Sequence, residues 1–208
     1  MSTVAIATLV AYFLGSFPAG YLTGRVAGVD IRKSGSGNIG ATNVLRVLGK
    51  RFGYAVFLID FAKGLAAVVV ATLLATHRGA SANFIELCAA TAGVFAVVGH
   101  SYPVWLRFKG GKGVATSIGA LFGLAPLAAA VVCAVWAVTF QLTRYVSLAS
   151  IAAALALPMT FGALRLWGRH TTPVLLYFFL CLTTVIIVRH WSNLIRLWHG
   201  TEPRFHRK

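Results

Sequence analysis

The sequence predicts an all-α, polytopic integral membrane protein of seven transmembrane helices, one of them short, with the N-terminus outside and the C-terminus cytoplasmic. Three observations predict it. The apolar residues come in blocks of about 15–20 or more, long enough to cross ~30 Å of hydrocarbon as helices. Of the 208 residues, 58% are hydrophobic and only 11% charged, too apolar a balance for a soluble domain of this size. Basic residues gather on alternate loops, as they do where positive charge fixes topology.

The spans are expected at about residues 4–24, 53–76, 83–106, 114–126, 127–143, 146–164 and 172–190. The first has no basic n-region and no cleavage site, so it reads as a retained span rather than a removed signal. Pro126 separates the fourth from the fifth. The fourth is short for a full crossing and reads as a tilted or re-entrant helix buried against protein. Cys88, Cys133 and Cys181 lie in apolar runs without metal-ligand spacing, and their odd number gives no disulfide framework. All three are expected to be small core residues.

Charge sets the orientation. Arg25, Arg32 and Lys33 follow span one while no Lys or Arg precedes it, which places the first loop inside. Of 19 Lys and Arg, Arg78, Arg165 and Arg169 then fall outside and Lys63 within a span; the rest fall inside. The formal net charge of +15 is thus explained by topology and anionic headgroups rather than by nucleic acid. The chain is expected to form one membrane domain, 1–208, with three cytoplasmic segments: 25–51, 107–113 and 189–208. An odd number of crossings, or a re-entrant fourth element, is needed to put all three on one face.

The first segment contains Gly35-Ser36-Gly37-Asn38-Ile39-Gly40, followed by Thr42, Asn43 and Arg46. The glycines match G-x-G-x-x-G, and Asp60 lies 20 residues beyond Gly40. A dinucleotide fold is nevertheless excluded, because no strand precedes the glycines and Asp60 sits in a span. What remains is bare backbone amides beside fixed positive charge, with a helix beginning at Ala41 and pointing its N-terminus at the glycines. That is the chemistry of an anion cradle.

The second segment, Arg107-Phe108-Lys109-Gly110-Gly111-Lys112-Gly113, leads into Thr116 and repeats the combination at the mouth of a helix. Lys112 precedes Gly113, so the Walker A frame fails. The third runs from Arg189 to Glu202, and on a helix it sets His190, Asn193, Arg196 and nearly Gly200 on one face. Trp191 and Trp198 suit the membrane interface, as do His77, His170, His199 and His206. His100 reads equally as a packing histidine or a catalytic one. Asp60 and Lys63, three apart within span two, are expected to pair and to order the bundle.

Four scattered carboxylates (Asp30, Asp60, Glu86 and Glu202) build neither a Ser-His-Asp relay nor a metal site. No metal and no cofactor is therefore expected. The arrangement favours chemistry that needs only anion binding, positioning and a good leaving group. A transporter of phosphorylated or organic anions is the alternative, but there is no clear internal repeat and the cationic loops share one face.

At these three segments the sequence resembles a known family. GSFPAGYLTGRVAGVDIRKSGSGNIGATNVLRVLG, GHSYPVWLRFKGGKGVAT and RHWSNLIRLWHGTEPRF look like the signature motifs of bacterial acyl-phosphate:glycerol-3-phosphate acyltransferases, the PlsY family. LIDFAKG and RYVSLASI resemble its members too, so the likeness covers essentially the whole chain. The resemblance implies a multi-pass enzyme of the bacterial inner membrane with a cytoplasmic active site. It implies transfer of a fatty acyl group from acyl phosphate to the 1-hydroxyl of glycerol 3-phosphate, giving lysophosphatidic acid and phosphate. This is the first acylation of phospholipid biosynthesis, with its donor made by a peripheral acyl-phosphate synthase. On this likeness the catalytic residues are Ser36, Arg46, Lys112, His190 and Asn193. Gly35, Gly37, Asn38, Thr42, Asn43, Lys109, Gly110, Gly111, Gly113 and Thr116 bind substrate. Asp60, Lys63 and Glu202 are structural.

Overall fold

The computed structural model describes residues 2–169 and 171–205. His170, His206, Arg207 and Lys208, assigned above to interfaces or the cytoplasmic face, lie outside the described residues. No strand occurs among those described. The chain divides into two compact units, Met1–Leu124 and Ala125–Lys208.

In the first unit, α1 (Thr3–Ser16) and α2 (Ala19–Val26) form one apolar stretch interrupted at Phe17-Pro18. Pro18 has no N–H to donate, so the helix breaks there. After a loop come α3 (Ala41–Leu48), the long α4 (Lys50–His77), α5 (Ala82–Ser101) and α6 (Val114–Leu124). The core between α1, α4 and α5 is a seam of small side chains: Ala7, Ala11, Ala67, Ala71, Ala75, Ala92, Ala96 and Cys88. Hydrocarbon gives little drive to bury large apolar groups, so membrane helices associate by close backbone approach. Gly64 and Gly119 show the same device between α4 and α6. A side chain on Gly64 would strike the Thr116 carbonyl, and one on Gly119 the Phe61 carbonyl.

The second unit holds α7 (Pro126–Thr143), α8 (Val146–Leu166), α9 (Pro173–Arg189) and α10 (Trp191–Trp198). Phe178, Phe179, Leu157 and Leu182 form its buried core. Thr183 donates to the Ala154 carbonyl at 2.7 Å across α8 and α9. At His190 the chain turns by 57° from α9 into α10.

Among the described residues, five stretches are long and apolar enough to span, or six with the bent α9–α10 pair. The helices fall within three residues of the seven expected segments, except that α5 ends at Ser101, five residues before the expected 106. The fourth is α6, whose 11 residues extend only about 16 Å at 1.5 Å each, half a bilayer core. The cysteines differ from expectation. Cys88 is buried, but Cys133 is half-buried and Cys181 exposed, because a lipid-facing position accepts a small apolar side chain as readily as the core.

Candidate active site

In the first unit the glycine-rich segment is shaped by one buried side chain. Asn43, in the first turn of α3, donates its amide hydrogens toward the carbonyls of Ile31 (3.2 Å), Ser34 (3.0 Å) and Asn38 (2.8 Å). Its Oδ1 accepts the Ser36 N–H at 2.8 Å. Gly35 follows from this. It has φ of +59°, and a side chain there would collide with the Asn43 Oδ1. Asn43 thus positions the loop, and its own polar atoms are engaged in doing so.

The amides are less bare than the sequence suggests. Those of Ser36, Gly37 and Gly40 bond to Asn43, the Ser34 carbonyl and Asn38 Oδ1 respectively. The open donors are at the start of α3, where Gly40 supplies no side-chain cap. First-turn amides there, Ala41 and Thr42, have no partner within a helix. Ser36 and Arg46 are exposed, Thr42 and Asn38 half-buried. Beside this loop, Asp30 takes a bidentate pair of hydrogen bonds from Arg32 at 3.0 and 2.9 Å. Those bonds hold the Asp30 carboxyl at about 2 and raise the Arg32 guanidinium further.

The second glycine segment is pressed against the end of α5. Gly110 N–H donates to the Ser101 carbonyl and Gly111 N–H to the His100 carbonyl, each at 3.1 Å. The expectation of bare amides therefore fails at these two residues. Close approach to α5 explains the glycines instead, since a side chain on Gly111 would strike the His100 ring at Nε2. The cations Lys109 (exposed) and Lys112 (half-buried) frame the loop, and Thr116 is buried in the first turn of α6. Arg107 and Phe108 both hold left-handed φ, 51° and 62°. Backbone strain of this kind, on the order of 1–3 kcal/mol per residue, concentrates at functional loops.

Below the loops lies a buried charge cluster. Lys63 Nζ is 2.8 Å from Asp60 Oδ1, the i, i+3 pair expected from sequence. His100 Nδ1 stands 3.3 Å from the same oxygen, a third member that sequence spacing did not reveal. Lys63 also donates to the Phe17 carbonyl at 2.9 Å, at the break between α1 and α2. Asp60, Lys63, His100 and Pro103 line one closely packed recess with Ser16 of α1, Gly20 of α2 and Ile39 of the first segment.

In the second unit the third segment is organised by Glu202. Its Oε1 accepts from Ser147 Oγ (2.6 Å) and Asn193 Nδ2 (2.7 Å), and its Oε2 from Arg196 Nε (2.8 Å). Burial alone would raise this carboxyl. The hydrogen bonds from Ser147, Asn193 and Arg196, with the Arg196 charge, outweigh it and hold the group below its ordinary value of 4.5. Ser147 was not singled out from sequence, although it lies in the RYVSLASI stretch. His190 is buried, and its Nδ1 meets the Ile186 carbonyl at 2.8 Å. A carbonyl only accepts, so Nδ1 carries the proton and the neutral ring keeps its basic lone pair on Nε2. Residues 204 and 205 return to the α7–α8 turn. Phe205 N–H donates to the Arg144 carbonyl at 2.9 Å, and Arg204 Nε to Tyr145 Oη at 3.0 Å.

Comparison with known proteins gives a consistent result. The family model described as glycerol-3-phosphate acyltransferase matches residues 5–200. A glycerol-3-phosphate acyltransferase of Synechococcus elongatus is 49% identical over 205 residues, covering 98% of this chain and 95% of its own. One from Geobacter sulfurreducens is 44% identical over 200 residues, covering 96% of each. The crystal structure of PlsY (YgiH), an integral membrane glycerol 3-phosphate acyltransferase, in its glycerol 3-phosphate form aligns with a TM-score of 0.85 at 39% identity. That alignment covers 99% of this chain and 96% of the other. The lysophosphatidic acid form aligns with a TM-score of 0.82 at 38% identity.

Proposed function

The chain belongs to the glycerol-3-phosphate acyltransferase family, and from that premise we propose that acyl phosphate is its donor and the 1-hydroxyl of glycerol 3-phosphate its acceptor. The observation that carries this is the pair of cationic loops in the first unit, each fixed from beneath by a buried polar side chain, Asn43 under one and His100 under the other. Two phosphorylated substrates call for two anion sites. Arg46 and the amides at the start of α3 serve one phosphate; Lys112 and Lys109 serve the other.

The reaction is a direct displacement. The glycerol oxygen attacks the acyl carbonyl carbon, and the bond from that carbon to the phosphate oxygen breaks. Inorganic phosphate leaves, and the hydroxyl proton passes to a phosphate oxygen of the donor or to His190 Nε2. Acyl phosphate is already activated, so positioning and stabilisation of the oxyanion by Arg46, Lys112 and loop donors supply much of the rate. Asn193, oriented by Glu202, holds the acceptor, and Ser36 acts as a hydrogen-bonding group without forming an acyl-enzyme. Gly35, Gly37, Asn38, Thr42, Gly110, Gly111, Gly113 and Thr116 shape and line the two anion sites. The active face is cytoplasmic, in a bacterial inner membrane, and the donor comes from a peripheral acyl-phosphate synthase.

The test is incubation of the purified protein with glycerol 3-phosphate and either acyl phosphate or acyl-CoA. Lysophosphatidic acid and phosphate from acyl phosphate alone are expected. Product from acyl-CoA alone overturns the donor. His190→Gln is expected to lower kcat by about 10²–10⁴ and to remove an ionisation from the pH–rate profile. An unchanged profile overturns the histidine base.

A further inference from the structure

We propose that His100, anchored by Asp60, is a positioning residue for the Lys112 loop, and that this linkage is why a charged pair lies buried in α4. The inference rests on the reading above, in which that loop binds a phosphate.

The contacts form a continuous chain. Lys63 offsets the Asp60 charge at 2.8 Å and ties it to the Phe17 carbonyl at the α1–α2 break. Asp60 Oδ1 then faces His100 Nδ1 at 3.3 Å, an electrostatic contact at the near edge of the imidazole rather than a hydrogen bond. The far edge lies against Gly111: a methyl group there would occupy the place of His100 Nε2. The His100 carbonyl meanwhile accepts the Gly111 N–H at 3.1 Å. Gly111 is therefore held by both the backbone and the ring of His100, and Lys112 is the next residue. All members are buried or nearly so: Asp60 is 2%, Lys63 7% and His100 5% exposed.

Charges within a span are costly, and a bundle that needed only packing would place apolar groups here. A fixed ring under a substrate loop gives that cost a return. Displacement of a binding group by about 1 Å is enough to lose on the order of 10²-fold in rate. The arrangement is also a shape lock, since Gly111 and His100 cannot both be enlarged.

The test uses His100→Asn, Gly111→Ala and the double variant in the purified full-length protein. Asparagine reaches Asp60 but lacks the outer ring edge. Gly111 has no left-handed φ, so alanine there probes the contact alone. Calorimetry with glycerol 3-phosphate, and separately with inorganic phosphate, reads binding without turnover. Each single variant is expected to weaken Kd for at least one ligand by tenfold or more at unchanged stoichiometry. The double variant is expected to recover at least threefold over Gly111→Ala, because the shorter side chain admits the new methyl. A purely structural role lowers the stoichiometry of competent protein and leaves Kd unchanged; that result, or multiplicative losses in the double variant, overturns the proposal. Failure of the wild type to make lysophosphatidic acid, with Kd behaving as expected, overturns the reaction reading alone.

Discussion

Asp60 and Glu202 do the same work in different surroundings. Each is a carboxylate that gathers several polar partners and thereby orients a candidate site residue. Asp60 sits within α4, beside Lys63 of the same helix and His100 of α5, and its side chain is 3% exposed. Glu202 follows α10, outside the spans, and gathers Ser147, Asn193 and Arg196 while Arg196 stays 39% exposed. The difference teaches how location decides what a carboxylate is for. Inside the span its removal strands a buried cation. At the interface, water relieves the loss, and the same chemistry becomes graded and sensitive to pH.

The largest effect should follow from breaking the inner pair on one side. Asp60→Asn leaves Lys63 buried without a counter-charge, and about 3–5 kcal/mol of stability should be lost. Asp60→Leu with Lys63→Met replaces both charges by apolar groups and should recover at least half of that loss. Thermal unfolding in a mild detergent measures both. Equal destabilisation by the single and double variants would show that Asp60 is held by something other than charge balance. The double variant should stay poorly active, because it leaves His100 unanchored.

A smaller loss is expected at Asn43, where the hub is neutral. Asn43→Ala orphans the Ser36 N–H and the Asn38 carbonyl, and leaves the carbonyls of Ile31 and Ser34 with only their turn bonds from the Ser34 and Gly37 amides. Water reaches much of this loop, so about 1–3 kcal/mol is expected rather than the sum of four bonds. Activity should fall further than stability, by about 10²-fold, as the loop loses its shape. Amide exchange confined to residues 34–40 would locate the change, and a global rise in exchange would contradict it.

The contrast between the two carboxylates also explains what could be read in advance. The spans were legible because apolar length and basic asymmetry are properties of the chain itself, and every expected segment contains a helix. The i, i+3 pairing of Asp60 with Lys63 was legible for the same reason. His100 was not, since its relation to Asp60 depends on how α5 packs on α4. Nor was Ser147, 55 residues before Glu202. The glycine loops were read correctly as special and wrongly as open. Composition announces that glycine is needed, while only packing tells whether the need is an open amide or, as at Gly110 and Gly111, close contact with α5.

The smallest effect concerns protons at Glu202. Its folded value lies below the ordinary 4.5, so the folded state favours the ionised form. The unfolded chain binds this proton first as pH falls. The stabilisation is therefore fully present above the ordinary glutamate range and shrinks below it, vanishing once pH passes beneath the depressed folded value. Its charged partner Arg196 is 39% exposed, and screening there limits the gain to about 1 kcal/mol. Between pH 7 and pH 4 the wild type should lose Tm that Glu202→Gln does not, the variant starting lower and the two curves converging. Asp60 makes the control: in Asp60→Asn the wild-type pH dependence attributable to Glu202 should persist. If Glu202→Gln instead ran parallel to the wild type across the whole range, the carboxylate would be a packing group, and the contrast between an interfacial, titrating hub and a buried, charge-balanced one would not stand.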